Sequence, residues 1–260
     1  MTPAPAPLTG ARLAAIVLTR NEEQHLPECL VSLAWAPELI VFDSFSTDRT
    51  VDLARAAGAR VVQRVFDNYA GQREAALAAT GAEWVLFVDA DERATPELAA
   101  EIGRALERPE PGWWIPRDNY LFGRLTRHAG WYPDYQLRLL RRALARYDPA
   151  RPVHELVVLD SQIPAGRLEH ALIHLNYETV TEFVDKQRAY ARYDAGQLWR
   201  SGARARPRNF VLQPARQFYW RYITLGGWRD SGHGLRLSLL MAYFEWQKYS
   251  ELRRMSRPSG

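Results

Sequence analysis

The chain has 260 residues, of which 47% are hydrophobic and 25% are charged, the composition of an ordinary globular protein. Its single cysteine, Cys29, excludes a disulfide framework and a zinc site built from cysteines, and we expect this thiol to be buried. The formal net charge is only +4, and the basic residues are nearly all arginine, a bias in composition that does not indicate a nucleic-acid partner. We expect no signal peptide and no transmembrane helix, and therefore a cytoplasmic location.

Strands and helices alternate along the first part of the chain, up to about residue 107. Helical spacing of apolar residues follows each predicted strand, and Asn21, Ser46 or Thr47, and Thr95 are candidate helix N-caps. This alternation predicts an α/β fold in which a mostly parallel sheet carries helices on both faces. Short apolar runs place the four strands at residues 13–18, 38–42, 60–66 and 84–88.

The rest of the chain has longer aromatic strands and then helices. The strands are predicted at residues 113–122, 135–142, 153–159 and 168–175, and the helices at 179–200, 210–224 and 234–254. We therefore predict three parts. They are a leader (1–10), an α/β domain (11–200, with halves 11–107 and 108–200) and a C-terminal helical extension (201–260).

The C-terminal extension combines arginine with aromatic residues. This combination suits an anionic membrane surface, and the alternative is a solvated helical tail whose aromatic rings pack inward. The arginines from residue 200 onward are Arg200, Arg204, Arg206, Arg208, Arg216, Arg221, Arg229, Arg236, Arg253, Arg254 and Arg257.

The strand predicted at residues 84–88 ends in the sequence Asp-x-Asp, formed by Asp89 and Asp91. The carboxyl ends of parallel strands are where α/β proteins bind ligands, so these carboxylates are expected at a binding edge. Oxygen ligands there suit Mg²⁺ or Mn²⁺, which usually carries the phosphates of a substrate. The alternative is a polar turn that caps the next helix.

Four motifs resemble family-2 glycosyltransferases of the GT-A fold, a Rossmann-like α/β fold. They are IVLTRNE at residues 16–22, VFDSFSTDRT at 41–50, Gln72-Arg73, and VDADE at 88–92. Further segments resemble the branch of lipopolysaccharide-core β-glucosyltransferases, and they lie at residues 131–142, 153–155, 166–168, 174–177, 186–191 and 227–234. The chain departs from the family pattern at Glu74, where Asn is frequent, and at Ser231, where Gly is common.

The resemblance implies a nucleotide-binding site in the first half of the domain. By this resemblance Thr19, Asn21 and Glu22 line the nucleoside pocket, and Asp43 accepts a hydrogen bond from the imide of the base. Arg73 is expected to contact the diphosphate, although a surface position is the alternative. Asp91 is expected to hold a divalent metal, Mn²⁺ or Mg²⁺, to which Asp89 contributes through water or binds the ribose instead.

An inverting transfer also needs a general base near the acceptor hydroxyl. Glu155 is the preferred candidate and Asp134 is the second. The alternative for Glu155 is an ion pair with Arg138 or Arg142. His174 is a candidate for a further metal ligand from a later strand, or else a hydrogen-bonded histidine of the core.

Together these features predict a metal-dependent, inverting transfer from a nucleotide-sugar, with a UDP-sugar as the expected donor. The expected acceptor is a lipid-linked or lipopolysaccharide-core glycan at the cytosolic face of the inner membrane, to which the enzyme would bind peripherally. An Asp-x-Asp phosphatase or phosphotransferase and a non-catalytic membrane scaffold are the alternatives. The sequence leaves the oligomeric state open.

Overall fold

The computed structural model describes residues 12–147 and 157–256. Within these residues the strands are β1 (Leu13–Thr19), β2 (Glu38–Asp43), β3 (Arg60–Gln63), β4 (Trp84–Asp89), β5 (Glu92–Ala94), β6 (Gly112–Leu121), β7 (Arg124–Leu125), β8 (Asp134–Arg141), β9 (Ala145–Tyr147), β10 (Val157–Leu159), β11 (Gly166–Arg167) and β12 (Leu172–Tyr177). The α-helices are α1 (Leu26–Ser32), α2 (Thr50–Ala56), α3 (Tyr69–Ala78), α4 (Pro96–Ala105), α5 (Val180–Arg200), α6 (Asn209–Tyr219) and α7 (Ser231–Met255).

The fold divides the chain into two compact units. The first consists of Met1–Arg117 and Tyr135–His174, and the second of Asp118–Asp134 and Leu175–Gly260. These units divide the chain at other points than the predicted domain boundaries after residues 107 and 200, which remain a prediction.

The first four strands of the main sheet are parallel neighbours in the order β3-β2-β1-β4. The register sets Thr19 opposite Asp43 and Leu18 opposite Asp89. Beyond β4 the order continues β8-β6-β12-β5, and β8 runs antiparallel to β4. The sheet therefore brings the carboxyl ends of β1, β2 and β4 to one edge, as the sequence predicts.

Helices cover both faces of this sheet. Leu13, Ala15 and Val17 of β1 belong to a core that also includes buried residues of α1, α2 and α4. The alternate residues Ala14 and Ile16 pack with α3 on the other face. Because successive strand residues point to opposite faces, the near-continuous apolar runs of these strands are explained by burial on both sides. The predicted α/β class is confirmed.

Several details of the predicted elements are wrong. Neither Ser46 nor Thr47 caps α2, whose N-cap is Arg49, and the strand predicted at 168–175 begins only at Leu172. The strand predicted at 60–66 ends at Gln63, and the following Val65 is 72% exposed. Asn21 does not cap α1, because its φ is +56° and its side chain accepts hydrogen bonds from Thr47 instead. Helix α1 begins only at Leu26. The short strand β5, directly after the Asp-x-Asp motif, was not predicted at all.

The C-terminal helices agree closely with the prediction. Thr179 caps α5 by accepting a hydrogen bond from the backbone N–H of Glu182. A π-helical turn extends α6 to Thr224. No helix in the described ranges combines the length and the apolar character needed to cross a membrane. The core of the second unit consists of Leu121, Tyr177, Phe183, Leu237 and Phe244.

Cys29 is fully buried in α1, as predicted. Its Sγ lies 3.6 Å from the backbone oxygen of Asp89. Burial among apolar side chains raises the pKa of this thiol well above its ordinary value, because the thiolate would lose its hydration.

Candidate active site

Polar side chains meet where β1, β2 and β4 end. Thr19 donates a hydrogen bond of 3.1 Å from its hydroxyl to the carboxylate of Asp43. Asp89 ends β4, one register position from Thr19 on β1. The structure thus assembles three of the predicted site residues at one edge of the parallel sheet, where such folds bind ligands.

Asp43 is completely buried, and its carboxylate accepts hydrogen bonds from neighbouring side chains and from one backbone N–H. Its carboxylate accepts from the backbone N–H and the hydroxyl of Ser46, from Gln63 and from Thr19. Burial would raise the pKa of Asp43, but these bonds outweigh burial and lower the pKa below 3.8. A carboxylate has about four acceptor positions. A bond to a nucleobase therefore requires one hydroxyl donor to turn away.

The loops after β1 and β2 are tied together by side chain to backbone hydrogen bonds. The backbone N–H of Asn21 donates to Ser46, and that of Glu22 donates to Thr50. Asp48 accepts hydrogen bonds from the backbone N–H groups of Glu23 and Thr50, and so stabilises the turn after β2. Asn21 and Glu22 are therefore held at the strand ends.

Asp89 is held by two arginines. The guanidinium of Arg138 binds both of its carboxylate oxygens, and Arg73 approaches one of them at 3.5 Å. Desolvation would raise the pKa of Asp89, but the positive charges of Arg138 and then Arg73 lower it below 3.8. Asp89 is thus ionised, and its lone pairs are largely used by Arg138.

Glu92 binds two arginines of this cluster, Arg117 and Arg138, and no role was predicted for it. It is fully buried, and it accepts a hydrogen bond of 2.9 Å from the backbone N–H of Asp89. Its other oxygen lies 3.3 Å from both Arg117 and Arg138. Arg138 could have indicated this role of Glu92, because a lone arginine inside the apolar run of β8 needs a buried anionic partner.

Asp91 and His174 form a pair beside this cluster. His174 Nε2 lies 3.4 Å from Asp91 Oδ2, and the side chains are 9% and 28% exposed. Strand β5 brings them together, because it pairs with β12 and sets Glu92 opposite His174. The structure therefore joins the residue predicted as the main metal ligand with the one predicted to complete the shell.

This pair fits a divalent metal that keeps part of its own coordination shell. Among the described residues, no three His, Cys, Asp or Glu side chains form a metal-binding group. Mg²⁺ and Mn²⁺ commonly take one or two protein ligands and complete the shell with water and phosphate oxygens. Asp91 and His174 suit that arrangement, whereas Asp89 is occupied by Arg138.

Helix α3 contributes Arg73, whose side chain is only 8% exposed and lies over the ring of Phe87. The alternative of a surface position for Arg73 is therefore wrong. The next residue, Glu74, accepts a hydrogen bond of 2.8 Å from the backbone N–H of Tyr147. This departure from the family pattern thus links α3 to β9, which gives the carboxylate a structural role.

The structure describes only one of the two candidate bases, Asp134. Asp134, the first residue of β8, lies in the second unit and accepts a hydrogen bond of 3.2 Å from Asn119. Glu155, together with the neighbouring His154, lies outside the described residues. The alternative ion pairs of Glu155 lie outside them as well, although Arg138 is already paired with Asp89 and Glu92.

The chain was compared with known proteins. Residues 14–151, more than half of the chain, match the family described as Glycosyl transferase family 2. The lipopolysaccharide core biosynthesis glycosyltransferase LpsC of Rhizobium meliloti (strain 1021) is 33% identical over 230 residues, which cover 84% of this chain and 83% of that protein. This chain belongs to glycosyl transferase family 2.

More distant similarities extend over most of this family-2 glycosyltransferase. An uncharacterized glycosyltransferase of Rickettsia bellii (strain RML369-C) is 25% identical over 289 residues, covering 96% of this chain and 88% of that protein. A crystal structure of glucosyl-3-phosphoglycerate synthase from Mycobacterium tuberculosis with phosphoglyceric acid superimposes with a TM-score of 0.48 and 19% identity, covering 74% and 80% of the two chains.

Membership of the family confirms two predictions made from the motifs. The protein is a glycosyltransferase enzyme, and its α/β sheet is of the GT-A type. The alternative of an Asp-x-Asp phosphatase is therefore wrong. The family assignment by itself specifies neither the donor and acceptor nor the residues that carry out the transfer.

Proposed function

We propose that this glycosyltransferase moves a sugar from a UDP-sugar to a lipopolysaccharide-core or lipid-linked glycan, with inversion at the anomeric carbon and with the help of Mn²⁺ or Mg²⁺. The observation that carries the proposal is the Asp91–His174 pair beside the arginine-held Asp89. The acceptor class is supported by the similarity to LpsC, a lipopolysaccharide core biosynthesis glycosyltransferase. The expected place of the reaction is the cytosolic face of the inner membrane.

In this proposal the donor diphosphate binds beside the arginine cluster. Arg73 and Arg138 contact Asp89, and Arg117 and Arg138 contact Glu92. Negative charge grows on the diphosphate as the bond to the sugar breaks, so nearby guanidinium groups favour departure. A divalent ion bound by Asp91 and His174 would act as a Lewis acid on the same phosphates.

The nucleoside would lie over the ends of β1 and β2. An ionised, buried Asp43 accepts hydrogen bonds and donates none, which matches the N–H of a uracil imide. Thr19 and the backbone-anchored Asn21 and Glu22 flank this position. The general base is Glu155 or Asp134, and removal of the acceptor proton by that carboxylate completes the transfer.

The test is sugar transfer and donor hydrolysis from a panel of UDP-, GDP-, ADP- and dTDP-sugars with Mn²⁺. Asp91→Asn and His174→Gln are expected to lower kcat about a hundredfold or more, since an electrostatic contact to the leaving group is lost. The matched control is Asp52→Asn, whose carboxylate is 85% exposed on α2 and is expected to be neutral. Full activity of Asp91→Asn would contradict the proposed metal site.

A direct binding measurement separates the metal from the base. Calorimetric titration of UDP in the presence and absence of Mn²⁺ should show metal-dependent affinity in wild type and lose it in Asp91→Asn. Glu155→Gln and Asp134→Asn should leave that affinity unchanged, and only the variant of the true base should lower kcat. If neither variant reduces transfer, the base has been assigned wrongly.

A further inference from the structure

The exposed apolar side chains are concentrated in the last quarter of the chain. Among the described residues, 20 large hydrophobic side chains are exposed, and 11 of them lie in residues 211–255. Single exposed apolar residues are ordinary on protein surfaces, whereas a concentration of them marks an interaction site. These 11 are Val211, Leu212, Tyr219, Trp220, Ile223, Trp228, Leu235, Leu239, Tyr243, Trp246 and Met255.

Helix α6 presents its apolar face outward. Its exposed positions recur at helical spacing, and none of its residues is buried. Gln213 and Arg221, which are less exposed, each contain a buried polar atom that has no hydrogen-bond partner among the described residues. A helix that packs on a protein core shows the opposite arrangement. The exposed face of α6, with its N-cap and the π-helical turn that follows it, consists of Arg208, Val211, Leu212, Ala215, Arg216, Tyr219, Trp220 and Ile223.

Helix α7 carries a second exposed apolar stripe. Leu235, Leu239, Tyr243 and Trp246 follow one another at intervals of four, four and three residues and are 37% to 53% exposed. Tyrosine and tryptophan at such positions suit the boundary between lipid and water, because their rings are apolar at one end and polar at the other.

The segment that carries this surface is strongly positive. Residues 201–256 contain ten basic and three acidic side chains, a formal charge of +7 against +4 for the whole chain. The three acidic residues are paired with Lys248, Arg254 and His128. By contrast, none of Arg204, Arg206, Arg208 and Arg216 forms an ion pair within the described part of the chain.

We propose that the outward faces of α6 and α7 bind the surface of an anionic lipid bilayer, with the two helices lying in the headgroup region. Apolar side chains supply burial, and unpaired arginines match the negative lipid headgroups. Pairing of this surface with the same surface of a second copy is disfavoured, because two segments of charge +7 would repel each other. Membrane binding depends on the proposed function in one respect only, its purpose, which is to bring the enzyme to a lipid-linked acceptor.

The test is flotation of the full chain with vesicles of phosphatidylcholine containing 30% phosphatidylglycerol, compared with pure phosphatidylcholine. Wild type should float with the anionic vesicles, and added salt should weaken binding. Val211→Gln with Leu212→Gln should lower the partition coefficient about tenfold through lost apolar burial. The matched control is Val31→Gln with Val65→Gln, which changes two side chains of similar exposure in the first unit and should float like wild type.

A second pair of variants tests the charge. Arg208→Gln with Arg216→Gln should lower binding to anionic vesicles about tenfold or more, since each arginine near such a surface contributes several-fold. Arg55→Gln with Arg192→Gln is the control, because both arginines are exposed elsewhere. Absence of wild-type flotation, or equal flotation with neutral vesicles, would overturn the proposal. So would a dimer in sedimentation analysis that Val211→Gln with Leu212→Gln dissociates.

Flotation requires neither donor nor acceptor, so its failure is distinct from failure of the proposed function. Hydrolysis of the donor sugar by the same variants should equal that of wild type, which also shows that they are folded. A protein that floats without hydrolysing any nucleotide-sugar would keep the membrane surface and lose the proposed reaction. The reverse result would keep the reaction and remove the surface.

Discussion

Ser231 begins α7 in a backbone conformation that suits glycine. Its φ is +55° and its ψ is −140°, a region that residues with a Cβ rarely occupy. The family commonly has glycine here, and the structure now gives the reason. Such a conformation costs roughly 1–3 kcal/mol for a residue with a side chain, whereas glycine adopts it with little strain.

We therefore expect Ser231→Gly to raise the free energy of unfolding by about 1 kcal/mol, after subtracting the greater freedom of glycine in the unfolded chain. Urea denaturation is the measurement. Ser231→Ala is the matched control, because it keeps the Cβ and should change stability little. Stabilisation by alanine as large as that by glycine would mean that backbone strain is not the cause.

Individual residues differ in how far the sequence could place them. The sheet-edge positions of Asp43, Asp89 and Asp91 could be predicted because these carboxylates come at the ends of apolar strands. Thr19 could be placed at the same edge because it follows the neighbouring strand, predicted at residues 13–18. The saturation of Asp43 by Ser46 and Gln63 could not be foreseen, because it depends on how a loop and a third strand fold around it. Long-range contacts of this kind leave no periodic signal in one sequence.

Strand β5 shows how a very short element positions a site. It contains only Glu92, Arg93 and Ala94, yet its pairing with β12 brings His174 to Asp91. A strand of three residues has no recognisable period, and its partner lies about 80 positions away in the chain, so this pairing could not be predicted from the sequence. The long helices α5 and α7, by contrast, were predicted from the helical spacing of their apolar residues.

Removal of the charge at Glu92 should weaken this region strongly. Glu92→Gln leaves Arg117 and Arg138 with less compensation in a buried setting, and we expect a loss of about 3 kcal/mol in the free energy of unfolding. The matched control is Glu83→Gln, whose carboxylate pairs with Arg12 and Arg141 but is 39% exposed. That change should cost about 1 kcal/mol or less.

Equilibrium unfolding in urea at neutral pH compares the two variants. Equal losses for Glu92→Gln and Glu83→Gln would show that burial of the arginine cluster does not determine its energetics.

The whole molecule is expected to lose stability in acid in a defined range. The pKa values of Asp43, Asp48 and Asp89 are lower in the folded protein than their ordinary value of 3.8. The unfolded chain therefore binds more protons at low pH, so stability present above about pH 4 is lost as the pH falls through and below 3.8. Each proton taken up contributes up to about 1.4 kcal/mol per pH unit.

Urea midpoints measured between pH 6 and pH 2.5 test this expectation. Wild type should lose stability steeply below pH 4, and Asp43→Asn should show a shallower dependence, because one of the carboxyl groups whose pKa is lowered by folding is gone. Asp52→Asn, which changes an exposed carboxyl group, should follow the wild-type curve. A variant curve for Asp43→Asn parallel to wild type would contradict the role of its hydrogen bonds.

At this scale the sequence predicted the sheet and its binding edge, because apolar runs and strand-end carboxylates are local signals. It did not predict that strands β6, β8 and β12 each contribute residues to both compact units. A domain boundary placed at one position in the sequence cannot describe this division, because the chain passes from one unit to the other inside each of these three strands.

The position of Cys29 gives the molecule an internal reporter. Its sulfur lies under the backbone of Asp89, and a buried, protonated thiol reacts with thiol reagents only when the surrounding structure opens. Because it is the single cysteine of the chain, the rate of its modification measures opening at the end of β4 without any engineered label. A ligand that tightens this edge should protect the sulfur in proportion to its occupancy.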